Sequence, residues 1–363
     1  MTNNIRAIAF YLPQFYPTPE NDEWWEPGFT EWTNVARAKP LFKGHYQPRI
    51  PRDLGFYDLR VPETREKQAQ LAREAGIEGF CYWHYWFGNG KRLLSDVFRD
   101  VVETGRPDFP FCLCWANHSW YAKTWDSNVP DKLLMEQTYP GVEDYKAHFY
   151  EMLPAFKDKR YMRMEDGRLI FGIFDSDMFP NISEFFNTWN RLAKENNITG
   201  FYFFGLAQGE KRYPKVKDAG FDTIIYDCLN DYRNTPSYSI LSRIGYKLHK
   251  KSQIHITHYS DYAKGSVITY QQHPEFTPCL NPDFDHSPRS GMSGIILYES
   301  TPKKWGKMLK EVAQSVVSKP NSNNLLFIKA WNEWGEGNYL EPDSKWGKGY
   351  IEATAKVLGQ ENV

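Results

Sequence analysis

The sequence lacks long apolar runs, and it has almost no net charge. No segment approaches the roughly 18 consecutive apolar residues that mark a membrane-spanning helix. Lysine plus arginine number 44 against 45 for aspartate plus glutamate, a formal net charge of −1, so no overall field attracts nucleic acid or an anionic membrane. We therefore expect neither membrane insertion nor nucleic-acid binding; the oligomeric state is left open.

Paired cysteines and a signal segment are also missing. The five cysteines form an odd set, and each lies in or beside an apolar, strand-like run, which predicts buried free thiols: Cys81, Cys112, Cys114, Cys228 and Cys279. Cys112-x-Cys114 has no neighbouring ligands of the kind that complete a four-ligand zinc site, so no metal or other cofactor is expected. The first apolar run is too short for a signal peptide, which predicts a cytoplasmic protein, or an exported one if a leader was removed.

Several nucleophile, phosphate and metal motifs are absent. The sequence contains no G-x-S-x-G, P-loop, H-E-x-x-H or G-x-G-x-x-G pattern. Aromatic residues, in contrast, reach 17%, with 13 Trp, 23 Tyr and 24 Phe, and many stand beside polar residues. Rings with one apolar and one polar side suit sugars, whose faces are C–H patches rimmed by hydroxyls.

A strand-like run, a polar or aromatic loop and an amphipathic helix recur along the chain. Short apolar runs that alternate with helices are typical of parallel strands buried on both faces. Their number predicts a (β/α)8 barrel, a single catalytic domain over residues 1–363. The strand candidates are Ala7–Leu12, Gly79–Tyr85, Phe109–Trp115, Leu169–Asp175, Gly200–Leu206, Phe221–Tyr226, Phe276–Leu280 and Leu325–Ala330.

Two regions complicate this count. Gly294–Tyr298 also reads as a strand and makes a ninth candidate. Residues 230–273 are too many for a plain βα loop, so we expect an insertion with a helix over Ile240–Lys251 at one end of the barrel.

Polar and aromatic residues cluster after the predicted strands, where a barrel of this type builds its active site. At least two of Trp24, Trp32, Trp86, Trp115, Trp120 and Trp125 are expected to line the cleft as sugar platforms. His84 and His118 could contact sugar hydroxyls or serve packing. The full set of predicted substrate-binding residues is Tyr11, Gln14, Glu31, Trp32, His84, Trp86, Trp115, Asn117, His118, Trp120, Trp125, Asp175, Asp227, Asn281, Asp283, Arg289, Trp331, Asn332 and Trp334.

Glu333 and Glu336 are the candidate catalytic pair. Cleavage of a glycosidic bond uses one carboxyl group to protonate the leaving oxygen and a second as base, nucleophile or charge stabiliser. A Glu-x-x-Glu spacing just past a strand, with glycines at 335 and 337, can turn both side chains into one cleft. The pattern favours a glycoside-processing enzyme whose partner is an oligo- or polysaccharide.

Two other functions remain open. Asp283-Phe-Asp285 has the Asp-x-Asp spacing of metal-dependent, sugar-nucleotide glycosyltransferases, although no nucleotide-binding arrangement accompanies it. A catalytically inactive, sugar-binding barrel would need the two glutamates to be misplaced.

Four segments together resemble the WbsX family, whose members belong to polysaccharide (O-antigen and capsule) gene sets and carry the label glycosyltransferase. They are Phe10-Tyr-Leu-Pro-Gln-Phe-Tyr16, Gly28-Phe-Thr-Glu-Trp-Thr-Asn-Val35, Trp115-Ala-Asn117 and Trp331-Asn-Glu-Trp-Gly-Glu-Gly337. The first strand and the Glu-Trp-x-Glu-Gly signature also resemble glycoside hydrolase family 99, the retaining endo-α-mannosidases and endo-mannanases.

The hydrolase resemblance implies roles for individual residues. Glu333 matches the carboxylate that assists the substrate 2-hydroxyl as base, and Glu336 matches the acid/base at the leaving group. Retention would pass through a 1,2-anhydro sugar, with Tyr11 near the reacting sugar. The resemblance implies retaining cleavage or transfer at a glycosidic bond of a bacterial-type surface polysaccharide, with an α-mannoside-like linkage as one option. Gly335 departs from the pattern, which has His there, so mannose specificity is not assumed.

The resemblance also predicts the geometry and charge of the pair. Retaining enzymes hold the two carboxyl groups about 5–5.5 Å apart, and inverting enzymes about 6.5–9.5 Å apart. We expect the shorter class, with the pKa of Glu336 raised so that it carries the proton, and Glu333 ionised.

Overall fold

The computed structural model describes residues 5–123, 130–232, 254–317 and 324–359. Within them, parallel strands close into a barrel in which each strand pairs with its neighbours in chain order and the last strand pairs with the first. This confirms the predicted (β/α)8 architecture. The barrel strands are β1 Arg6–Tyr11, β2 Gly79–His84, β3 Phe111–Trp115, β4 Leu169–Ile173, β5 Phe201–Gln208, β6 Thr223–Asp227, β7 Thr277–Leu280 and β8 Leu325–Ile328.

Aromatic side chains fill the interior of the barrel below the site. Phe10 stacks on Trp83 with ring centroids 4.6 Å apart, and it contacts Phe327 at 5.5 Å. Phe327 in turn contacts Phe204 at 5.1 Å. Because side chains alternate between the two faces of a strand, these contacts fix which residues of each strand face inward.

The helices surround the barrel as the periodicity predicts. The Trp305, Met308 and Leu309 stripe of the helix after β7 is buried, as its three- and four-residue spacing indicates. The described helices are α1 Pro19–Trp24, α2 Glu31–Arg37, α3 Pro62–Glu74, α4 Asp96–Thr104, α5 Val142–Phe156, α6 Ile182–Glu195, α7 Tyr213–Asp218, α8 Tyr259–Gln272, α9 Ser287–Ser290, α10 Pro302–Val317 and α11 Gly349–Leu358. Among the described residues, no helix is long and apolar enough to cross a membrane.

Short strand pairs lie outside the barrel. The ninth candidate strand is one of them: Ile295–Tyr298 pairs with His255–His258, not with a barrel strand. Trp120–Ala122 pairs with Lys132–Met135, and Asn332–Glu333 pairs with Asn338–Tyr339. The helix expected over Ile240–Lys251 lies outside the described residues. All five cysteines are buried and free, as predicted.

Candidate active site

A cavity of about 710 Å³ opens at the carboxyl ends of the barrel strands. Lys329, Glu333 and Glu336 contribute to its lining from the segment after β8. Aromatic rings supply much of the wall. Those at the barrel strand ends are Trp83, Tyr85 and Phe174. Those from α1, the loop after it and the Trp120–Ala122 strand are Trp24, Trp25, Phe29, Trp120 and Tyr121.

Glu333 lies on the lumen side of this cavity and is almost completely buried, at 4% exposure. The indole Nε1–H of Trp83 donates to its Oε1 at 2.8 Å. Glu336 lines the same cavity, and its charge acts on the carboxyl group of Glu333. The Glu-x-x-Glu spacing therefore brings both acids into one site.

Glu336 is surrounded by cations. Arg289 Nη1 donates to Glu336 Oε1 at 2.6 Å, and Lys329 Nζ lies 4.0 Å from Oε2. The same guanidinium donates through Nη2 to Glu31 Oε2 at 2.8 Å. Glu31 stands in the first turn of α2, which the Thr30 side chain caps. Arg289 therefore connects Glu31 of α2 to Glu336 in the loop after β8 through two ion pairs.

Gly335 makes room for this ion pair. A Cβ at position 335 would overlap Glu31 Oε2 and lie 3.0 Å from Arg289 Nε. The volume that a side chain would need is occupied by the Glu31–Arg289 pair. The glycine that departs from the hydrolase pattern therefore leaves room for this ion pair, and a side chain at position 335 would collide with it.

The two glutamates differ in pKa. Burial and the adjacent charge of Glu336 raise the pKa of Glu333 to about 8, against the opposing influence of Lys329 and Arg289. Burial also acts to raise the pKa of Glu336, but Lys329, Arg289 and His286 outweigh it and lower that pKa to about 2. The surroundings therefore favour the proton on Glu333 and the negative charge on Glu336.

These pKa shifts run in the direction opposite to the expectation that Glu336 carries the proton. The physical reason is local. Both fixed cations lie beside Glu336, while the partner of Glu333 outside the pair is a neutral indole, so the negative charge is stabilised on Glu336. Neither Lys329 nor the orientation of Arg289 could be placed from the sequence.

Buried contacts hold the loop after β8, which carries Glu336 and Gly337, in place. Asp285 N–H donates to the Glu336 carbonyl at 2.6 Å, and Arg49 Nη1 donates to the Gly337 carbonyl at 3.0 Å. Gly337 has φ +57, and a Cβ there would lie 2.9 Å from Arg49 Cζ. Glycine relieves both the left-handed backbone and this close approach.

Some of the predicted binding residues line the cavity. Trp24 and Trp120 are the two rings, among the six considered, that the structure places there, in edge-to-face contact with centroids 6.1 Å apart. Trp125 lies outside the described residues. The other predicted residues at the cavity are Gln14, Glu31, His118 and Arg289.

A second group points away from the cavity, on the outer face of the barrel strands. Tyr11 donates its hydroxyl to Gln68 Oε1 at 2.7 Å behind β1, so it does not lie near a sugar in this site. His84 Nε2 lies 2.7 Å from His148 Nε2 of α5. Period-two alternation is the reason, since neighbouring residues face opposite sides. The predicted residues corrected in this way are Tyr11, His84, Trp86 and Trp115.

A third group connects loops to one another. Asn117 accepts from Asp175 N–H at 2.8 Å and donates to the Asp175 carbonyl at 2.7 Å. Asn281 donates to Asp227 Oδ1 at 2.9 Å. All four are buried, and the side chains of Asn117, Asp227 and Asn281 bond other groups of the protein, as most buried polar groups do, whereas Asp175 Oδ1 has no hydrogen-bond partner among the described residues. They are structural here, not cavity-lining as predicted.

The remaining predicted residues are packed inside the protein and do not line the cavity: Trp32, Trp331, Asn332 and Trp334. Asn332 Oδ1 accepts from Leu12 N–H at 2.7 Å and so joins this loop to β1. Trp334 donates to Glu341 Oε2 at 2.6 Å. Trp32 and Trp331 are also buried, at 8% and 0% exposure, and neither lines the cavity.

Asp283 and Asp285 form a buried charge cluster. Arg49 Nη1 donates to Asp283 Oδ2 at 2.7 Å, which removes Asp283 from the predicted sugar contacts. His45 and Gln47 engage Asp285 Oδ2 at 2.8 and 2.6 Å. The Asp-x-Asp tripeptide therefore holds the loop through an arginine.

Sequence reasoning missed Trp83, Tyr85, His286 and Lys329, which all line the cavity. Trp83 and Tyr85 alternate with His84 and Trp86, which the sequence predicts as binding residues. The register of β2 is the feature that separates the two sets. Aromatic and polar residues occupy both faces of that strand end, and the inward set becomes evident only from its contacts with other strands.

Comparisons with known proteins agree with this architecture. The sequence profile described as glycosyltransferase WbsX matches residues 7–354. The chain belongs to the WbsX family. A Xanthomonas campestris pv. campestris protein, described as uncharacterized protein WxcX in two strains, is 35% identical over 352 residues. The alignment covers 97% of this WbsX-family chain and 49% of the relative, so the chain spans about half the length of the curated relatives it matches.

Solved structures share the fold. A glycoside hydrolase-like protein aligns over 99% of this chain and 95% of its own, with TM-score 0.64 and 13% identity. The family 99 endo-alpha-mannosidase from Bacteroides thetaiotaomicron aligns over 99% and 98%, with TM-score 0.57 and 15% identity. The chain is thus a (β/α)8 barrel of the WbsX family.

Proposed function

We propose that this chain cleaves or transfers a glycosidic bond of a surface polysaccharide, with retention, using Glu333 as the proton donor and Glu336 as the base. The observation that carries the proposal is that Glu333 and Glu336 line one aromatic-walled cavity and have pKa values shifted in opposite directions. Two carboxyl groups with pKa values driven apart are the acid and base that glycoside chemistry requires.

Retention is proposed because Glu333 and Glu336 line one cavity and the charge of Glu336 acts on Glu333. Retaining enzymes hold their two carboxyl groups about 5–5.5 Å apart, whereas inverting enzymes need about 6.5–9.5 Å to admit a water. The resemblance to family 99 implies a 1,2-anhydro sugar in place of a glycosyl ester.

On this proposal, Glu336 takes the proton of the substrate 2-hydroxyl, and that oxygen forms a bond to C1. The bond from C1 to the leaving oxygen breaks, and Glu333 gives its proton to that oxygen. A water or an acceptor hydroxyl then opens the anhydro ring, returning one proton to Glu333 while Glu336 protonates the 2-oxygen. These roles are the reverse of those that the resemblance implies, because the Arg289 and Lys329 cations favour ionised Glu336.

The family name favours a second function, glycosyl transfer from a sugar nucleotide. Its metal motif would be the Asp283-Phe-Asp285 tripeptide, whose carboxylates are engaged by Arg49, His45 and Gln47. These buried contacts argue for the nucleotide-independent reaction. A binding-only barrel would not need a carboxyl pair lining one cavity beside two cations.

The test is release of reducing ends from a panel of purified surface polysaccharides, including α-mannosides, with and without UDP- and GDP-sugars. We expect release without any nucleotide sugar, abolished in E333Q. The matched control is E143Q, since Glu143 is 87% exposed on α5. Activity that requires a nucleotide sugar would establish the transferase, and saccharide binding without turnover would establish the binding-only barrel.

A further inference from the structure

Lys329 is a buried cation that the reaction described above does not yet use. Its side chain is 9% exposed and lines the cavity directly after β8. Within the part of the chain that the structure describes, its nearest ion-pair contact is Glu336 Oε2 at 4.0 Å, beyond hydrogen-bond range. An ammonium group with three donors, placed this way, is ready to donate to something that enters the cavity.

The 4.0 Å between Lys329 Nζ and Glu336 Oε2 lets one oxygen atom contact both from the side of the cavity. An oxygen at about 2.8 Å from both Nζ and Oε2 would complete a triangle whose apex angle is roughly 90–100°. It could accept from the ammonium group and donate to the carboxylate. A hydroxyl does both, whereas a carboxylate ligand would stand against the charge of Glu336.

We propose that Lys329 and Glu336 together form an oxygen subsite for the 2-hydroxyl of the reacting sugar. This rests on the proposed function and names the contact that activates its attacking group. Lys329 donates to the hydroxyl oxygen while Glu336 removes its proton, so the negative charge that develops on that oxygen is stabilised where it forms. Lys329 keeps its own proton throughout, and no further reactant is needed.

Charge in the surroundings supports a permanently protonated Lys329. Burial acts to lower its pKa, but Glu336, Glu333 and Asp227 raise the pKa above its ordinary value. Arg289 remains bonded to Glu336 if Lys329 is replaced, so the carboxylate keeps one cation. K329M, of similar length and uncharged, therefore removes the donor while leaving the loop contacts in place.

The experiment is a binding cycle by titration calorimetry. The probes are methyl glycosides of mannose, glucose, galactose and rhamnose in both anomers, each with its 2-deoxy counterpart. For the glycoside that binds, we expect the wild type to lose about tenfold in affinity for the 2-deoxy form, the usual size of one charge-assisted hydrogen bond. K329M should bind more weakly and lose clearly less affinity than the wild type for the 2-deoxy form, because only the contact of the hydroxyl with Glu336 remains. K307M is the control, since Lys307 is 79% exposed on α10.

Each result has a separate meaning. An equal 2-deoxy loss in K329M and wild type would overturn the subsite while leaving the sugar cleft intact. If no glycoside binds the wild type, the proposed function fails, and the subsite with it. K329Q, measured alongside, keeps a neutral donor and should retain part of the 2-deoxy effect even if K329M is unstable. In K329M, kcat on any substrate found should fall about 10²–10³-fold, with a smaller change in KM.

Discussion

Trp83 and Trp86 lie three residues apart at the end of β2, and each donates its indole N–H to a buried carboxylate. Trp83 bonds Glu333 at 2.8 Å inside the cavity, and Trp86 bonds Asp144 of α5 at 3.0 Å on the outer wall. The hydrogen bonds are nearly the same in length, but their surroundings differ. The first carboxyl group lines the cavity and is influenced by the charge of Glu336; the second also accepts from Asn89 N–H and fixes a loop.

The same contrast runs through the strand ends of the barrel. The inner face carries Glu333, Glu336 and Lys329 around an accessible cavity, whereas the outer face carries pairs that bond each other, such as Tyr11–Gln68. Residue type does not distinguish the two regions, because both combine aromatic rings with polar partners. What distinguishes them is whether a polar group is still available to a ligand.

The largest expected effect comes from replacing the two glutamates, which test the inner region directly. E333Q should lose about 10²–10⁴-fold in kcat/KM on substrates with poor leaving groups and far less on activated aryl glycosides, because these need little protonation. E336Q should impair both substrate types alike. Steady-state kinetics on the two substrate types decides this, and the opposite pattern would restore the roles that the family 99 resemblance implies.

The next effect is a pH dependence. Glu333 has its pKa raised to about 8, so the protonated acid is lost as pH rises through that value. We expect kcat/KM to fall about tenfold per pH unit above it. Glu336, with its pKa lowered to about 2, stays ionised and should produce no decline on the acid side down to about pH 4. A profile of kcat/KM against pH that declines below pH 6 would contradict this assignment.

A matched pair of tryptophan variants separates the regions more finely. W83F removes the hydrogen bond that lowers the pKa of Glu333, so the basic decline should move to higher pH and kcat/KM should drop about tenfold. W86F leaves Asp144 short of a donor and should cost about 1–3 kcal/mol of unfolding free energy, with kinetics unchanged. Urea denaturation and pH profiles of both proteins are the measurements. Similar kinetic losses in both variants would remove the distinction between the faces.

The smallest effect is expected at Tyr11. Y11F deletes a donor to the buried Gln68 and should lower the unfolding free energy by about 1 kcal/mol. Its kcat and KM should equal those of the wild type. A clear fall in kcat at unchanged stability would instead place this tyrosine at the reacting sugar, as the hydrolase resemblance suggests.

Much of the fold could be predicted from the sequence because strands and helices have characteristic local patterns of apolar residues. The run Leu325–Ala330 predicts β8, observed over Leu325–Ile328, and the Glu333-x-x-Glu336 spacing predicts two acids in one cleft. These inferences need only the periodicity of the chain and the rule that barrel sites lie after the strands.

Tertiary structure decided what local patterns could not. Which residues of β2 face the lumen depends on its packing against Phe10 and Phe174. Which glutamate holds the proton depends on Arg289, 47 residues before Glu336 in the chain, and on Lys329 at the end of β8. The sequence by itself determined the barrel and the presence of two glutamates in one cleft, since both follow from short-range patterns. Charge placement in the site was decided by long-range contacts, because electrostatic energies depend on distances in space and not along the chain.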